Sequence, residues 1–362
     1  MKKKFIVLGL IIVLSLLISV VGYVIVANDE TGASSPALAA CTTIHKGSEN
    51  AINVVFLSDE ETARKYTEFF LTSPPYDQNK DKFNFYNVDG EPSCKKYQGI
   101  AVYCKNSHNT KLASACQTDL IIAVSDEYPK SIRSSAVDSF LNLNNKHPMT
   151  VLLHEIGHWF GFAEEYKGGK IPRGAVNCQG ACEGFDKFPG GYDSCHQECT
   201  TGEHYRSHPE SYMRSLYATT YGIFNINRLQ EEITKLTTKQ TGILTGFATE
   251  ENSDCSNQEY SLIEGTENGV TSTEKVEGCP PTPWNRGTFG YETDSEENSF
   301  GSDIIFMTDF NEDGIITSPS GDEENFILTI PETEGEITIK DPDGEIITTV
   351  DLNEIGSRPC KA

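Results

Sequence analysis

The chain has 362 residues, 53 acidic against 29 basic side chains, a net charge of −24 and 11 cysteines. That length holds one or two domains with real cores. The acidic balance excludes nucleic acid as a partner, because phosphate backbones are gripped by clustered Lys and Arg, and the cysteines point to an oxidising compartment, where disulfides persist.

Met1-Lys2-Lys3-Lys4 opens the chain, and an uncharged run of 23 residues, Phe5 to Ala27, follows. A helix of that length spans about 34 Å at ~1.5 Å per residue, enough to cross a bilayer, whereas a secretory signal has an apolar region of about 7–15 residues. Residues 1–27 are therefore expected to be a transmembrane anchor. The lysines stay inside and Asp29 and Glu30 lie outside, giving a single-pass protein with the rest of the chain outside the cell membrane. Two alternatives also export the remainder. Ala37-Leu38-Ala39 offers a cleavage site for a secreted form, and Leu38-Ala39-Ala40-Cys41 resembles a lipid-anchoring signal with Cys41 as the modified residue. The polar stretch 28–48 reads as a linker.

Residues 49–243 read as a layered α/β domain with a mixed sheet. Ile52–Leu57 is a valine-rich buried strand. Ser58-Asp59-Glu60-Glu61 starts a helix through Thr62 to Leu71, which Pro74-Pro75 ends. Phe83–Val88 and Asp119–Val124 are further strands. A second helix opens near Pro148, a residue suited to the first helical turn, and ends near Gly161. Residues 167–211 are rich in Gly, Pro and Cys and predict an irregular, cross-linked excursion. Cys178-x3-Cys182 and Cys195-x3-Cys199 are expected to form two disulfides there, with His196 as a surface residue. Asn225 to Lys239 closes the domain as a helix with Ile226, Leu229, Ile233 and Leu236 on one face.

The character then changes. Residues 241–362 carry 27 acidic and 5 basic side chains, and short β-prone runs replace helical periodicity. Residues 244–362 are expected to be an acidic, antiparallel β domain with strands at Ile304–Met307, Phe326–Ile330, Glu336–Lys340 and Glu345–Asp351, the last two joined by a tight turn at Asp341-Pro342-Asp343-Gly344. Within it, Asp309-Phe310-Asn311-Glu312-Asp313-Gly314-Ile315-Ile316-Thr317 matches the first nine positions of a calcium loop, with Asp309, Asn311, Asp313, Ile315 and Thr317 as ligand positions. Position twelve is Ser320 rather than an acid, so an acidic turn is the competing reading.

Chemistry concentrates in His154-Glu155-Ile156-Gly157-His158. Two histidines four apart on a helix share one face and can grip one ion. Glu155 sits next to a ligand without being one, and its carboxylate can reach a water on the metal. Zinc lowers the pKa of such a water to about 7, so that a carboxylate base can take its proton during attack on a carbonyl. A third ligand is needed. Gly161 lets the helix break, and the chain then swings Glu164 towards the ion; Glu165, His204 and His208 are the other candidates.

The pattern His-Glu-x-x-His-x-x-Gly-x-x-Glu over residues 154–164 resembles the metzincin zinc peptidases. Glu164-Glu165-Tyr166 is more similar to the bacterial IgA-peptidase family, whose motif runs His-Glu-x-Gly-His and ends near Asp-Glu-Tyr. The resemblance covers about residues 50–240 and implies zinc held by His154, His158 and Glu164, with Glu155 as general base. Glu164 stands where that family carries Asp. It also implies a methionine turn beneath the metal, matched by Met213 in Ser211-Tyr212-Met213-Arg214-Ser215. Tyr212 and Tyr217 are candidate hydrogen-bond partners for the tetrahedral intermediate, and Cys41 is a candidate thiol switch on the metal.

The expectation is thus a zinc metallopeptidase cutting peptide or protein substrates outside the cell, with calcium as a structural ion of the C-terminal part. The competing readings are a binding or adhesion protein with an inactive peptidase fold, and a zinc hydrolase acting on a non-peptide or cell-wall amide bond.

Overall fold

In a computed structural model the described residues are 40–166, 171, 174–239 and discontinuous segments between 255 and 355. The anchor expected over residues 5–27 and the calcium loop Asp309 to Thr317 lie outside them. No helix among the described residues is long and apolar enough to cross a membrane.

The first elements are β1 (Cys41–His45), β2 (Ile52–Leu57), α1 (Glu60–Thr72) and β3 (Phe83–Val88). Then come β4 (Lys95–Tyr97), β5 (Ala101–Tyr103), α2 (Ser107–Ala113) and β6 (Leu120–Ser125). β7 (Ser135–Val137), β8 (Phe140–Asn144) and α3 (Thr150–Trp159) follow. β9 (Cys178–Gln179), β10 (His196–Cys199), β11 (Thr201–Arg206) and α4 (Ile223–Lys239) complete the first part. The C-terminal part has β12 (Glu259–Thr266), β13 (Gly269–Glu277), β14 (Phe289–Glu292), β15 (Glu297–Phe300) and β16 (Phe306–Met307). It closes with β17 (Asn325–Ile330), β18 (Glu336–Lys340) and β19 (Ile346–Asp351).

A seven-stranded sheet in the order β1-β3-β2-β6-β8-β7-β16 organises the molecule. β3, β2, β6 and β8 run parallel, while β1, β7 and β16 join antiparallel. Parallel strands are covered on both faces, which is why β2 and β6 are mostly apolar, with Asn53 and Ser125 as the polar exceptions. Alternation then sorts the side chains. Val54 and Phe56 enter one core with Tyr66 and Phe70 of α1 and Leu152 and Ile156 of α3. Val55 and Leu57 enter the opposite core with Ala113 of α2. α1 starts where Asp59 accepts from Thr62 Oγ1 at 2.7 Å and from Thr62 N at 2.8 Å; the hydroxyl first and the capping N–H second hold the Asp59 carboxyl below its usual range.

Several expectations change. The linker over 28–48 ends earlier than its composition suggests, because Cys41–His45 pairs with β3. Cys41 is bonded to Cys116, which removes the thiol that lipid attachment or a metal switch would need. Cys94–Cys104, Cys178–Cys199, Cys182–Cys195 and Cys255–Cys279 complete five bridges; Cys360 lies outside the described residues. The C-terminal part builds two antiparallel sheets, β13-β12-β17 and β15-β14-β18-β19. The turn between β18 and β19 is closed by Asp341 N donating to Glu345 O at 2.8 Å, with Gly344 at φ +88°. The run expected as a strand at Ile304–Met307 is described only at Phe306–Met307, and it pairs with β7 of the central sheet.

The C-terminal part attaches to the α2 side. Cys279 N donates to Ser114 O and Thr282 N to Thr118 O, both at 2.8 Å, and Lys111 pairs with Glu274 at 2.5 Å.

Candidate metal centre

α3 is buried on all sides from Val151 to Trp159, as a helix in the middle of a core must be. Its end is fixed by a glycine. Gly161 has φ +89°; its N–H donates to His158 O at 2.8 Å and Phe162 N–H to Gly157 O at 3.0 Å. This paired closure requires a left-handed residue at the first position past the helix. The chain then turns sharply back. Asn177 holds the returning segment with both ends of its amide, accepting from Ala163 N and donating to Ala163 O at 2.8 Å each. Thr200 Oγ1 donates to Glu164 O, and the Cys178–Cys199 bridge packs against Ala163.

These constraints bring three donors together. His154 Nε2 and His158 Nε2 lie 3.1 Å apart, and they face Glu164 Oε2 and Oε1 at 3.2 and 3.1 Å. His154, His158 and Glu164 are buried, at 1%, 1% and 4% exposure. The other ring nitrogens are committed: His154 Nδ1 donates to Tyr212 O at 2.7 Å and His158 Nδ1 to Phe162 O at 2.9 Å. Carbonyls only accept, so both Nδ1 atoms carry hydrogen and both Nε2 atoms offer lone pairs. A carboxylate and two lone pairs at this spacing repel unless a cation lies among them. A proton serves one edge of the triangle. Burial opposes charge on His154, but Glu164 and then Glu155 outweigh it and raise the imidazole to about 9. His158 is left lowered, mainly by burial. Burial also opposes the Glu164 charge, yet the two histidines hold that carboxyl down at about 2. An ion at the centre satisfies all three donors at once. Edges of 3.1–3.2 Å belong to a tetrahedron with centre-to-corner distances of about 2 Å, the bond length of zinc to nitrogen or oxygen.

No family model matches this chain, and no curated protein matches it in sequence. What the centre can do therefore follows from its own atoms.

Glu155 is fully buried beside the ligands. Met213 is fully buried as well, and a Cβ built on Gly157 would overlap its sulfur. The methionine thus lies flush against the helix between the two histidines, and Gly157 is the residue that permits it. Tyr221 hydroxyl donates to Leu153 O and meets Tyr76 hydroxyl at 3.1 Å, tying the helix to the element below.

The remaining candidates separate. Glu165 points away from the triangle: its carboxylate accepts from Ser211 Oγ, from Asn225 Nδ2 at 2.7 Å and from Asn177 Nδ2 at 3.2 Å. Its own N–H donates to Met213 O at 2.9 Å. His204 contacts Thr201 Oγ1 at 2.6 Å and His208 faces Asp193 at 3.7 Å, so neither joins the cluster. Tyr212 contributes its carbonyl, while its ring packs on Tyr221 at 5.0 Å. Tyr217 is 72% exposed. Three further residues carried no expected role: Tyr166, whose ring is parallel to that of His154 within 13° at 6.5 Å, and Asn177 and Asn225, which donate to Glu165. Position next to the motif was a signal for Tyr166; the two asparagines had none.

Proposed function

We propose that the protein is a zinc-dependent, metzincin-like endopeptidase that hydrolyses peptide bonds of extracellular protein substrates. The observation that carries this reading is the convergence of three buried donors on one point, with a carboxylate one residue along the same helix. His154, His158 and Glu164 would hold the ion, and two imidazoles with one carboxylate are a donor set of hydrolytic rather than structural zinc. When bound, zinc supplies a Lewis acid that polarises the scissile carbonyl and acidifies water to a pKa of about 7. His154 and His158 present Nε2 because Tyr212 O and Phe162 O hold the opposite tautomer. Glu164 closes the triangle from the far side of the Gly161 turn. Glu155 takes the proton of the attacking water and passes it to the departing amine nitrogen. Met213 and Gly157 keep the helix seated. The five disulfides agree with work outside a reducing compartment.

The deciding experiment measures zinc content and casein cleavage for the purified protein beside Glu155→Gln. About one zinc in each, with cleavage by the parent alone, is the expected result. Zinc in both with cleavage by both removes Glu155 from the chemistry, and absence of zinc from both overturns the proposal.

A further inference from the structure

A β-branched residue at positive φ is strained, because its Cβ substituents crowd the main chain, and it persists only where the surroundings hold it. Among the described residues, four that are not glycine have positive φ: Gln98, Asp138, Glu198 and Thr200. Thr200, at +57°, is the β-branched one. Cys199 pairs with Thr201, so Thr200 is the corner between β10 and β11. Glycine would take that corner at no steric cost. Thr200 is also buried, at 2% exposure, so contact with water gives no reason for a hydroxyl there. What the threonine supplies is a donor to Glu164 O.

That contact reaches the metal centre through the peptide planes around Glu164. Glu164 O and Glu165 N belong to one planar unit, whose C=O and N–H point in opposite directions in the trans form. Thr200 Oγ1 holds one end of the unit, and Met213 O accepts from Glu165 N at 2.9 Å at the other. The preceding unit is held by Asn177 Nδ2, which donates to Ala163 O at 2.8 Å. With both planes fixed, the backbone angles of Glu164 are fixed, and so is the direction in which its long side chain sets out towards His154 and His158. Met213 also lies against Gly157 between those histidines, so the clamp shares a reference point with them. The corner itself is anchored by the Cys178–Cys199 bridge, whose sulfurs lie 3.5 and 3.9 Å from Glu164 O. A bridged sulfur carries no hydrogen, so these are packing contacts and the Thr200 hydroxyl is the donor.

We propose that Thr200 is a positioning residue of the metal centre: its strained corner is kept because it aims a hydroxyl at Glu164 O and thereby fixes where the Glu164 carboxylate stands. The proposal rests on the zinc-peptidase reading of that centre, in which Glu164 is a ligand.

The test uses the full chain with its disulfides formed and three variants. Thr200→Ser keeps the hydroxyl without the β-branch. Thr200→Val keeps the branched shape and the strain without the hydroxyl, and Thr200→Gly removes both. The Kd for zinc is read by competition with a chromophoric chelator, on protein shown to be folded without zinc by circular dichroism and urea unfolding. Loss of a group that orients a metal ligand weakens binding about 10–100-fold, which is the rise in Kd expected for Thr200→Val and Thr200→Gly, with a smaller rise for Thr200→Ser. A residue that served stability alone would lower the urea midpoint and leave the Kd of the folded protein where it was. Parent-like affinity in Thr200→Val makes the hydroxyl idle, and parent-like affinity in Thr200→Gly makes the backbone corner sufficient. Either result overturns the proposal, as does a Thr200→Ser variant as weak as Thr200→Val. A parent that binds zinc and cleaves no casein, with Kd raised in the valine and glycine variants, sinks the peptidase reading and keeps the role of Thr200. Casein cleavage by the parent with unshifted Kd in the variants does the reverse.

Discussion

Glu165 offers the sharpest test of how Glu164 is held. Its carboxylate is fully buried and accepts three hydrogen bonds, from Ser211, Asn177 and Asn225. Truncation in Glu165→Ala strands three buried donors. Each unmade bond costs about 1–3 kcal/mol, so a loss of at least about 3 kcal/mol is expected, a large part of a typical stability of about 5–15 kcal/mol. Glu165→Gln is a different case. Both asparagine amides donate to one oxygen, Oε1, and Ser211 alone donates to Oε2. A glutamine keeps Oε1 and turns its NH2 towards the Ser211 hydroxyl, which rotates to accept. Burial raises the Glu165 pKa, so a neutral side chain also avoids the desolvation of a charge. Gln is therefore expected to cost no more than about 1 kcal/mol. Urea unfolding of the zinc-loaded variants, with zinc affinity by competition against a chromophoric chelator, reads both effects. Affinity is expected to fall more than about tenfold in Ala and little in Gln, because losing the network costs at least about 1.4 kcal/mol of positioning at Glu164. Equal losses in Gln and Ala would refute the hydrogen-bond account and show that the negative charge itself matters.

Two other predictions concern the helix and its approach. Gly157→Ala forces a methyl into the Met213 sulfur and is expected to cost about 1–3 kcal/mol; Met213→Ala alone opens a cavity at about 2–5 kcal/mol. The double variant should lose less than the sum, and strict additivity in urea unfolding would mean the two do not touch. His147, in the loop before α3, accepts from Ser134 Oγ at 3.0 Å and donates to Lys130 O at 3.1 Å. Burial lowers its pKa from 6.5 to about 4. The unfolded chain thus binds the proton first as pH falls, so the stabilisation is complete above pH 6.5 and drains away between 6.5 and 4. The loss is at most about 3 kcal/mol. Thermal unfolding across that range should fall more steeply for the parent than for His147→Gln, and parallel curves would rule the histidine out.

Much of the first part was legible because local rules and tertiary context agree. Ile52–Leu57 and Phe83–Val88 form strands at the expected bounds, the first advertised by its apolar, valine-rich run and the second by alternation. The helix from Thr150 and its glycine stop were also readable, and so was the meeting of His154 and His158, because four-residue spacing fixes them on one face. Short antiparallel strands were harder. β7 holds Ser135, Ala136 and Val137, too few residues for a period to show, and its identity comes from pairing with β8. Cys41 looked like part of a polar linker because a bridge to Cys116, 75 residues away, leaves no local trace. The pairing of Phe306–Met307 with a strand about 170 residues earlier was illegible for the same reason: register across such separations is set by the assembled sheet.

The two histidines and the glutamate are positioned by different kinds of force. Helical geometry alone sets the spacing of His154 and His158. Glu164 depends on a return path whose closure is covalent, through Cys178–Cys199 with Cys182–Cys195 nested inside it. A newly made chain in a reducing environment has the first two ligands in register and no bond to fix the third. Oxidation of that loop therefore fixes where Glu164 stands relative to the two histidines.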